Sequence, residues 1–362
     1  MSTKTVYNFG AGPAMLPHEV MVQVQQELLD WHGTGISVIE MSHRSKEFLS
    51  IAEEAEVVLR EILSIPDNYK VLYVPGGATA MMSMVPLNLL ANGETGDYLV
   101  TGSWSNKAYK EARRLANIHL AGDSGEDKYY SIPDPSSWDI SKNASYFYYT
   151  DNETITGVEF ADIPELDNIP LVTDMTSNFL SRPFDVSRFG IAFASAQKNF
   201  GPAGLACVVI RDDLIGKAGP KTPFLCDFKI HADNDSMFNT PPTFNWYMAG
   251  LIYKWIRDKG GLQAMDQRAR QRSEKIYQAV DNSDFYTNPI DKKFRSRMNV
   301  PFILKDDELN STFLTEARQH GLIELKGHRS VGGMRASIYN GMPMEGVEAL
   351  VAFMLDFEKR HG

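Results

Sequence analysis

Residues 189–204 have the sequence Phe-Gly-Ile-Ala-Phe-Ala-Ser-Ala-Gln-Lys-Asn-Phe-Gly-Pro-Ala-Gly, and this stretch decides the fold. Its first nine residues form an apolar run that is typical of a buried β-strand. The Gly-Pro-Ala-Gly sequence at 201–204 prevents the strand from continuing. The pattern therefore predicts that the ammonium group of Lys198 emerges at a strand end, with a tight loop beneath it.

A lysine amine at such a strand end can act as a nucleophile. When it is desolvated it loses its proton readily, and it can form a Schiff base with a carbonyl compound, including the aldehyde of pyridoxal phosphate. The competing interpretation is an ordinary lysine whose stem packs on apolar residues while its head reaches water. Lys198 alone favours this second interpretation.

Asp174 favours the first interpretation instead. It closes another apolar run, residues 169–173, and lies 24 positions before Lys198. In an open parallel α/β sheet the carboxyl ends of the strands share one edge, where ligands bind, so we expect the two groups to lie close together. A carboxylate there could pair with the protonated pyridine nitrogen of the cofactor and keep the ring an electron sink. A helix cap or a turn is the alternative role for Asp174.

The composition predicts a globular chain with more than one domain. Its 362 residues exceed the usual size of a single core, so we expect a large domain and a smaller one. A formal net charge of −10 argues against general binding to nucleic acid or anionic membranes. Two cysteines, no zinc-type histidine spacing, no membrane-spanning apolar run and no signal peptide lead us to expect a cytoplasmic, metal-free protein.

Helical and strand patterns alternate along the first two thirds of the chain. Strand patterns occur at 69–74, 97–101, 118–121, 145–150, 169–174, 190–196 and 205–211, and helical patterns at 18–32, at 46–63, from 79 and from 105. This alternation predicts βαβ units, that is, an α/β fold with a mainly parallel central sheet flanked by helices. A further helix should begin at an N-cap, Thr240, and end at Gly260-Gly261, where we place the domain boundary.

Beyond that boundary the pattern predicts a compact α+β domain. Its expected elements are helices at 262–280, 308–320 and 344–359 and strands at 298–304, 322–325 and 334–339. The predicted division is therefore an N-terminal arm (residues 1–15), a large cofactor-binding domain (16–261) and a small C-terminal domain (262–362).

Three further segments could contribute to a cofactor site. Residues 74–79, Val-Pro-Gly-Gly-Ala-Thr, follow a strand and open a helix, so their backbone N–H groups and the Thr79 hydroxyl could bind a phosphate. An ordinary strand-to-helix turn would have the same pattern. Trp104 could stack on a flat ring or belong to the core. Thr154 could offer a hydroxyl to the cofactor or form a turn.

Together these segments resemble the phosphoserine aminotransferase family, within the class V, fold-type-I pyridoxal-phosphate aminotransferases. The resemblance runs essentially from end to end. The ordered motifs that carry it are Asn8-Phe9, residues 12–17, Ser42-His43-Arg44, Gly76-Gly77, Trp104, Asn152-Glu153-Thr154, Asp174, and residues 181–183, 196–199, 201–204, 237–243, 327–329 and 332–337.

The resemblance implies roles for the residues around the cofactor, pyridoxal 5′-phosphate. Lys198 would form the Schiff base, and Asp174 would hold the pyridinium nitrogen. It also implies a homodimer with shared active sites. The remaining cofactor-binding residues would be Trp104 over the ring, Thr154 and Gln197 along it, the backbone of Ala78 and Thr79 at the phosphate, and Asn239 and Thr240 reaching the neighbouring subunit's phosphate.

The resemblance also implies a positively charged pocket for the substrates, because both substrates carry two anionic ends. Arg335 would bind the α-carboxylate. Arg44 and His43, together with His328 and Arg329 of the partner subunit, would bind the distal carboxylate or phosphate. Some family members carry arginine at the position of Thr79, so one distal-anion contact is missing or replaced here.

The activity that the resemblance implies is a ping-pong transfer of an amino group. Glutamate would give 2-oxoglutarate, and 3-phosphohydroxypyruvate would become O-phospho-L-serine, with Lys198 moving the proton. A four-carbon phosphorylated keto acid, leading to 4-phosphohydroxythreonine in pyridoxine synthesis, is a second expected substrate.

Two other functions remain open from the sequence. Another class V enzyme, such as a cysteine desulfurase or an alanine–glyoxylate aminotransferase, would share Lys198 and Asp174. A desulfurase needs a mobile nucleophilic cysteine, for which Cys207 in its apolar run is badly suited. The other function is a catalytically silent protein that binds the cofactor, since a fold alone does not prove turnover.

Overall fold

The secondary structure comes from a computed structural model that describes residues 5–362. Residues 1–4 of the predicted arm lie outside the described residues. The strands are β1 (Tyr7–Asn8), β2 (Tyr69–Pro75), β3 (Thr95–Val100), β4 (Asn117–Asp123), β5 (Ala144–Thr150), β6 (Asn152–Glu153), β7 (Val158–Glu159), β8 (Leu171–Asp174), β9 (Phe189–Ser195), β10 (Leu205–Arg211), β11 (Tyr286–Thr287), β12 (Asn299–Leu304), β13 (Leu322–Ile323) and β14 (Met334–Ser337). The α-helices are α1 (His18–Glu27), α2 (Lys46–Leu63), α3 (Gly77–Leu89), α4 (Ser103–Ala112), α5 (Phe228–Asp233), α6 (Thr243–Asp258), α7 (Gly261–Asp281), α8 (Asn310–Gln319) and α9 (Met344–His361).

The central sheet has the strand order β2-β10-β9-β8-β5-β3-β4. Strand β10 is antiparallel to both of its neighbours, and the pairs from β9 to β4 are all parallel. The carboxyl ends of β2, β3, β5, β8 and β9 consequently lie at one edge. The mainly parallel sheet predicted from the alternating pattern is confirmed.

Helices cover both faces of this sheet, which explains why its central strands are mostly apolar up to their carboxyl ends. Every residue of β9 is buried. Along β5, Phe147 and Tyr149 join the core that contains α2 and α6, whereas Tyr146 and Tyr148 join the core that contains α3 and α4. Successive side chains of a strand point to opposite faces, so this one aromatic strand contributes to both cores.

A separate core lies in the C-terminal part of the chain. It is formed by β11, β12, β14, α8, α9 and the second half of α7, and Phe313 and Phe357 are buried in it. The N-terminal segment joins this core, because β1 pairs in parallel with β13 and Phe9 is buried there. Leu262 and Met265, at the start of α7, pack in the core of the central sheet instead, so this helix connects the two parts.

Two local expectations are wrong. Helix α6 begins at Thr243 with Pro242 at its N-cap, not with Thr240, because two consecutive prolines hold the preceding backbone in an extended conformation. Helix α1 ends at Glu27 instead of continuing to residue 32. His32 and the glycines at 33 and 35 have positive φ angles and form a turn, which an α-helix cannot include.

Within residues 5–362, no helix combines the length and the apolar composition needed to cross a lipid bilayer.

Candidate active site

A cavity of about 250 Å³ lies at the carboxyl edge of the central sheet. The turns that follow β2, β3, β5, β8 and β9 form most of it, as expected for a ligand site in an open α/β sheet. Its lining residues are Gly76, Gly77, Ala78, Thr79, Trp104, Thr150, Asn152, Thr154, Asp174, Thr176, Ser177, Ser195, Gln197, Lys198, Ala203 and Gly204.

Lys198 lies in the turn that follows β9, and only 7% of it is exposed. Its Nζ donates a hydrogen bond to Thr154 Oγ1 and lies 5.4 Å from the centroid of the Trp104 ring. Burial lowers the pKa of Lys198 to about 8, because the charged ammonium is poorly solvated there. The negative charge of Asp174 raises this pKa, and the positive charge of Arg335 lowers it.

Asp174 is the last residue of β8 and is buried. One of its carboxylate oxygens accepts a 2.8 Å hydrogen bond from the backbone N–H of Thr176, so the turn role considered for it is present. Burial raises the pKa of Asp174, whereas hydrogen bonds from Thr176 and the charge of Lys198 act in the opposite direction. Asp174 and Lys198 both line the cavity, and each shifts the pKa of the other. This agrees with the sequence prediction that the two groups share one site.

The start of α3 forms one wall of the cavity. Gly76 is its N-cap and Gly77 its first residue, and both have positive φ angles, which glycine adopts readily. A Cβ atom at Gly77 would lie 2.6 Å from Ser195 Oγ, so the close approach of the two segments requires glycine. The first turn of a helix has N–H groups without intrahelical partners, and this first turn has no acidic side chain. The wall therefore suits an anion.

Glu153 is a site residue to which the sequence analysis gave no role of its own. Its buried carboxylate accepts hydrogen bonds from the backbone N–H groups of Trp104 (3.0 Å) and Ser105 (2.8 Å) and from the Ser105 hydroxyl (2.6 Å). It thus caps α4 and fixes the backbone that carries Trp104. The only sequence signal was its place in the Asn152-Glu153-Thr154 motif, because a cap from a segment 48 or 49 residues away leaves no local pattern.

Asn152 connects the site to the C-terminal part of the chain. Its side-chain amide donates 2.9 Å hydrogen bonds to Ser177 Oγ and to Asn299 Oδ1. Asn299, at the start of β12, donates in turn to Ser337 Oγ at 2.9 Å and to the Tyr339 hydroxyl at 3.1 Å. This buried network spans β6, β12 and the end of β14.

Strand β14 also carries Arg335, which lies beside the cavity. Its Nη1 donates a 3.3 Å hydrogen bond to the backbone carbonyl of Thr154. Its Nε is buried and has no hydrogen-bond partner among residues 5–362. Burial lowers the pKa of Arg335, which marks a guanidinium group held away from solvent.

The structure brings seven of the predicted cofactor residues together at the cavity, and it leaves the other predicted site residues outside its lining. The seven are Ala78, Thr79, Trp104, Thr154, Asp174, Gln197 and Lys198. The predicted residues that do not line it include His43, Arg44, Asn239, Thr240, His328 and Arg329. Several of their side chains make local contacts instead. Arg44 Nε lies 3.4 Å from His43 Nε2, the Asn239 amide donates to the Thr240 carbonyl, and His328 Nδ1 lies 2.7 Å from Ser330 Oγ.

Known proteins resemble this chain over its whole length. The model of the family described as aminotransferase class-V matches residues 6–350. A phosphoserine aminotransferase of Hahella chejuensis is 54% identical, over 98% of each chain. The chain belongs to the phosphoserine aminotransferase family.

Solved structures of this family have the same fold. The phosphoserine aminotransferase of Bacillus circulans subsp. alkalophilus superposes with a TM-score of 0.97 at 42% identity, covering 99% of this chain and 100% of the other. A pyridoxal-phosphate-bound phosphoserine aminotransferase from Trichomonas vaginalis has a TM-score of 0.93 at 42% identity, covering 97% of this chain and 99% of the other.

The position of Cys207 agrees with membership of this family and does not suit a desulfurase. The residue lies within β10, is fully buried, and burial raises the pKa of its thiol. A nucleophilic cysteine needs an accessible thiolate on a mobile segment. Cys207 has neither property.

The pKa of Lys198 can be measured by chemical modification of the cofactor-free protein. Labelling by dinitrofluorobenzene should increase with pH around a midpoint of about 8, because only the neutral amine reacts. Asp174→Asn should lower this midpoint, since the carboxylate stabilises the ammonium form, and Arg335→Gln should raise it. Mass spectrometry of the labelled peptide gives the midpoint, with the exposed Lys110 as internal reference. A midpoint near the pKa of a free lysine, about 10.4, would show that burial does not lower the pKa of Lys198.

Proposed function

We propose that this chain is a phosphoserine transaminase that depends on pyridoxal phosphate. It transfers the amino group of glutamate to 3-phosphohydroxypyruvate, giving O-phospho-L-serine and 2-oxoglutarate for serine biosynthesis. The same site would accept the four-carbon phosphorylated keto acid that gives 4-phosphohydroxy-L-threonine in pyridoxine synthesis. The observation that carries the proposal is the buried Lys198, whose pKa is lowered to about 8 beside the buried Asp174.

The residues around the cavity fit a flat cofactor that carries a phosphate. A buried amine, a buried carboxylate and an anion-binding helix start lie around one cavity, and the buried Trp104 Nε1 has no hydrogen-bond partner among residues 5–362. When bound, the cofactor supplies an electron sink that makes the Cα–H bond of the substrate acidic. The residues that would hold it are Ala78 and Thr79 at the phosphate, Trp104, Thr154 and Gln197 along the ring, and Asp174 at the ring nitrogen.

Lys198 would move the proton between the substrate Cα and the C4′ atom of the cofactor. A general base works best when its pKa is close to the working pH, and burial brings the Lys198 amine into that range. The hydrogen bond to Thr154 Oγ1 orients the amine. Glu153 holds Trp104 in place through its backbone and so keeps the side of the cavity that faces Lys198 closed.

Arg335 is proposed to bind the α-carboxylate that both substrates share. Arg335 and Lys198 both donate a hydrogen bond to Thr154, and the buried Arg335 Nε has no partner among residues 5–362, so Arg335 can orient the reacting carbon. Arg44 and His43, with His328 and Arg329 of the partner subunit, are proposed to bind the distal anion. Within its own chain, the pKa of His328 is lowered by burial and by the charges of Arg335 and Arg329.

The active protein is proposed to be a homodimer with shared sites. Asn239 and Thr240 do not line the cavity of their own chain, although they resemble phosphate-binding residues of the family. Phe238, which directly precedes Asn239, contacts Phe224, and the two side chains are 42% and 68% exposed. Exposed aromatic clusters of this kind mark protein interfaces.

The domain division and the location are proposals of the same kind. Residues 1–15, 16–261 and 262–362 would form the arm, the large cofactor-binding domain and the small domain. The separate core of β11, β12, β14, α8 and α9 supports the small domain. A cytoplasmic location agrees with the two free cysteines of the described chain.

The activity can be tested directly with the purified protein, pyridoxal phosphate, glutamate and 3-phosphohydroxypyruvate. Mass spectrometry should detect O-phospho-L-serine and 2-oxoglutarate in equal amounts. Lys198→Ala should reduce the rate by roughly 10²–10⁴-fold or more, because the general base is lost. Lys70→Ala, at an exposed lysine of β2, is the matched control and should keep the rate. Undiminished turnover by Lys198→Ala, or faster amination of glyoxylate than of the phosphorylated acid, would refute the proposal.

Shared sites can be tested with hybrids of two defective chains. Lys198→Ala and Arg329→Ala chains are co-expressed, each with a different affinity tag. In each hybrid, one site combines the intact Lys198 of one chain with the intact Arg329 of the other. Half of the dimers are hybrids with one working site, so the mixture should recover roughly a quarter of the wild-type activity. Activity equal to the mean of the two separate variants would exclude shared sites.

A further inference from the structure

Lys107 places a second ammonium group at the cavity rim. It lies one turn after Trp104 on α4, so the two side chains share a face of the helix. Its Nζ lies 5.4 Å from the centroid of the Trp104 ring and donates a 3.4 Å hydrogen bond to Thr79 Oγ1. Both Trp104 and Thr79 line the cavity. Lys107 itself is exposed, so it faces the solvent side of this opening.

The charge of Lys107 has no acidic partner in the described part of the chain. Some other exposed lysines are paired: Lys229 Nζ lies 2.7 Å from an Asp233 oxygen, and Lys292 Nζ lies 3.0 Å from an Asp281 oxygen. In residues 5–362 the polar contact of Lys107 is instead to a neutral hydroxyl. The ammonium therefore keeps its full charge available for an anion that enters the cavity.

The distance between the two lysines suits a short substrate with an anion at its far end. Each Nζ, of Lys107 and of Lys198, lies 5.4 Å from the same ring centroid, so the two nitrogens are at most 10.8 Å apart. The reacting carbon must lie near Lys198, and the α-carboxylate is proposed to bind Arg335. Binding by Lys107 requires the far end of the substrate to extend toward Thr79 and Trp104, beside which the Lys107 ammonium lies.

We propose that Lys107 binds the distal phosphate of the substrate and that the Thr79 hydroxyl orients its ammonium group. This inference rests on the proposed function. It places a cation next to the Thr79 hydroxyl at the edge of the cavity. A phosphate dianion offers more charge and more acceptor oxygens than a carboxylate, so Lys107 favours the phosphorylated keto acid over glutamate. The cofactor phosphate has a separate partner, the backbone N–H groups at the start of α3.

The test compares the two half-reactions of the holoenzyme. For Lys107→Met, kcat/KM with O-phospho-L-serine should fall about tenfold, through KM, which corresponds to the loss of one charge-assisted hydrogen bond. The value with glutamate should fall less than about threefold, because its distal group carries a single charge. Lys107→Arg should retain most of the activity. Lys110→Met removes an exposed charge from the same helix and should leave both half-reactions unchanged.

Three outcomes would overturn the inference. Unchanged KM for O-phospho-L-serine in Lys107→Met would exclude a contact with its phosphate. An equal loss for both substrates, together with weaker retention of pyridoxal phosphate in equilibrium dialysis, would assign Lys107 to the cofactor phosphate. If Lys107→Arg does not restore activity, and if kcat falls while KM stays unchanged, Lys107 has a structural role. A wild-type enzyme that does not use O-phospho-L-serine refutes the proposed function itself, before any variant is compared.

Discussion

The Lys198 ammonium is held where water solvates it poorly, and the architecture of the site depends on that desolvation. An isolated charge in such surroundings is unstable, so the amine becomes partly neutral near physiological pH. The carboxylate of Asp174 limits this effect, and Arg335 increases it. The same burial raises the pKa of Asp174. The exclusion of water from this edge of the sheet therefore has two effects: it lowers the pKa of the Lys198 amine and raises the pKa of the Asp174 carboxyl group.

The sheet topology makes this arrangement possible. Parallel strands end at one edge, so turns that are far apart in the sequence meet there. Strands β8 and β9 are neighbours, which brings Asp174 at the end of β8 close to the turn after β9 that contains Lys198. Residues 201–204 then turn the chain into the antiparallel β10, which leads away from the site. Hydrogen bonds also connect the C-terminal part of the chain to the cavity residues: Asn152 bonds to Asn299 of β12, and Arg335 bonds to the Thr154 carbonyl.

Much of the fold and of the cavity could be predicted from the sequence, because both depend on local patterns. The apolar run before Lys198 is a strand, and the glycines at 76 and 77 open a helix, as predicted. The cap that Glu153 forms on α4 was not predictable, since its partners are 48 or 49 residues distant. The residues expected from a partner subunit, such as Asn239, cannot be located by the packing of a single chain. Helix α1 was predicted to continue to residue 32 because its apolar residues recur with helical spacing, whereas the turn-forming residues at 32–35 received too little weight.

We propose that the buried carboxylate of Asp174 keeps the ring nitrogen of the bound cofactor protonated while Lys198 supplies the amine. The most direct measurement is ¹⁵N NMR of the holoenzyme reconstituted with cofactor labelled at that nitrogen. The wild-type spectrum should contain the shift of a protonated pyridinium at neutral pH, and Asp174→Asn should contain that of the neutral pyridine. A neutral nitrogen in the wild-type enzyme, or the same shift in both proteins, would contradict this account.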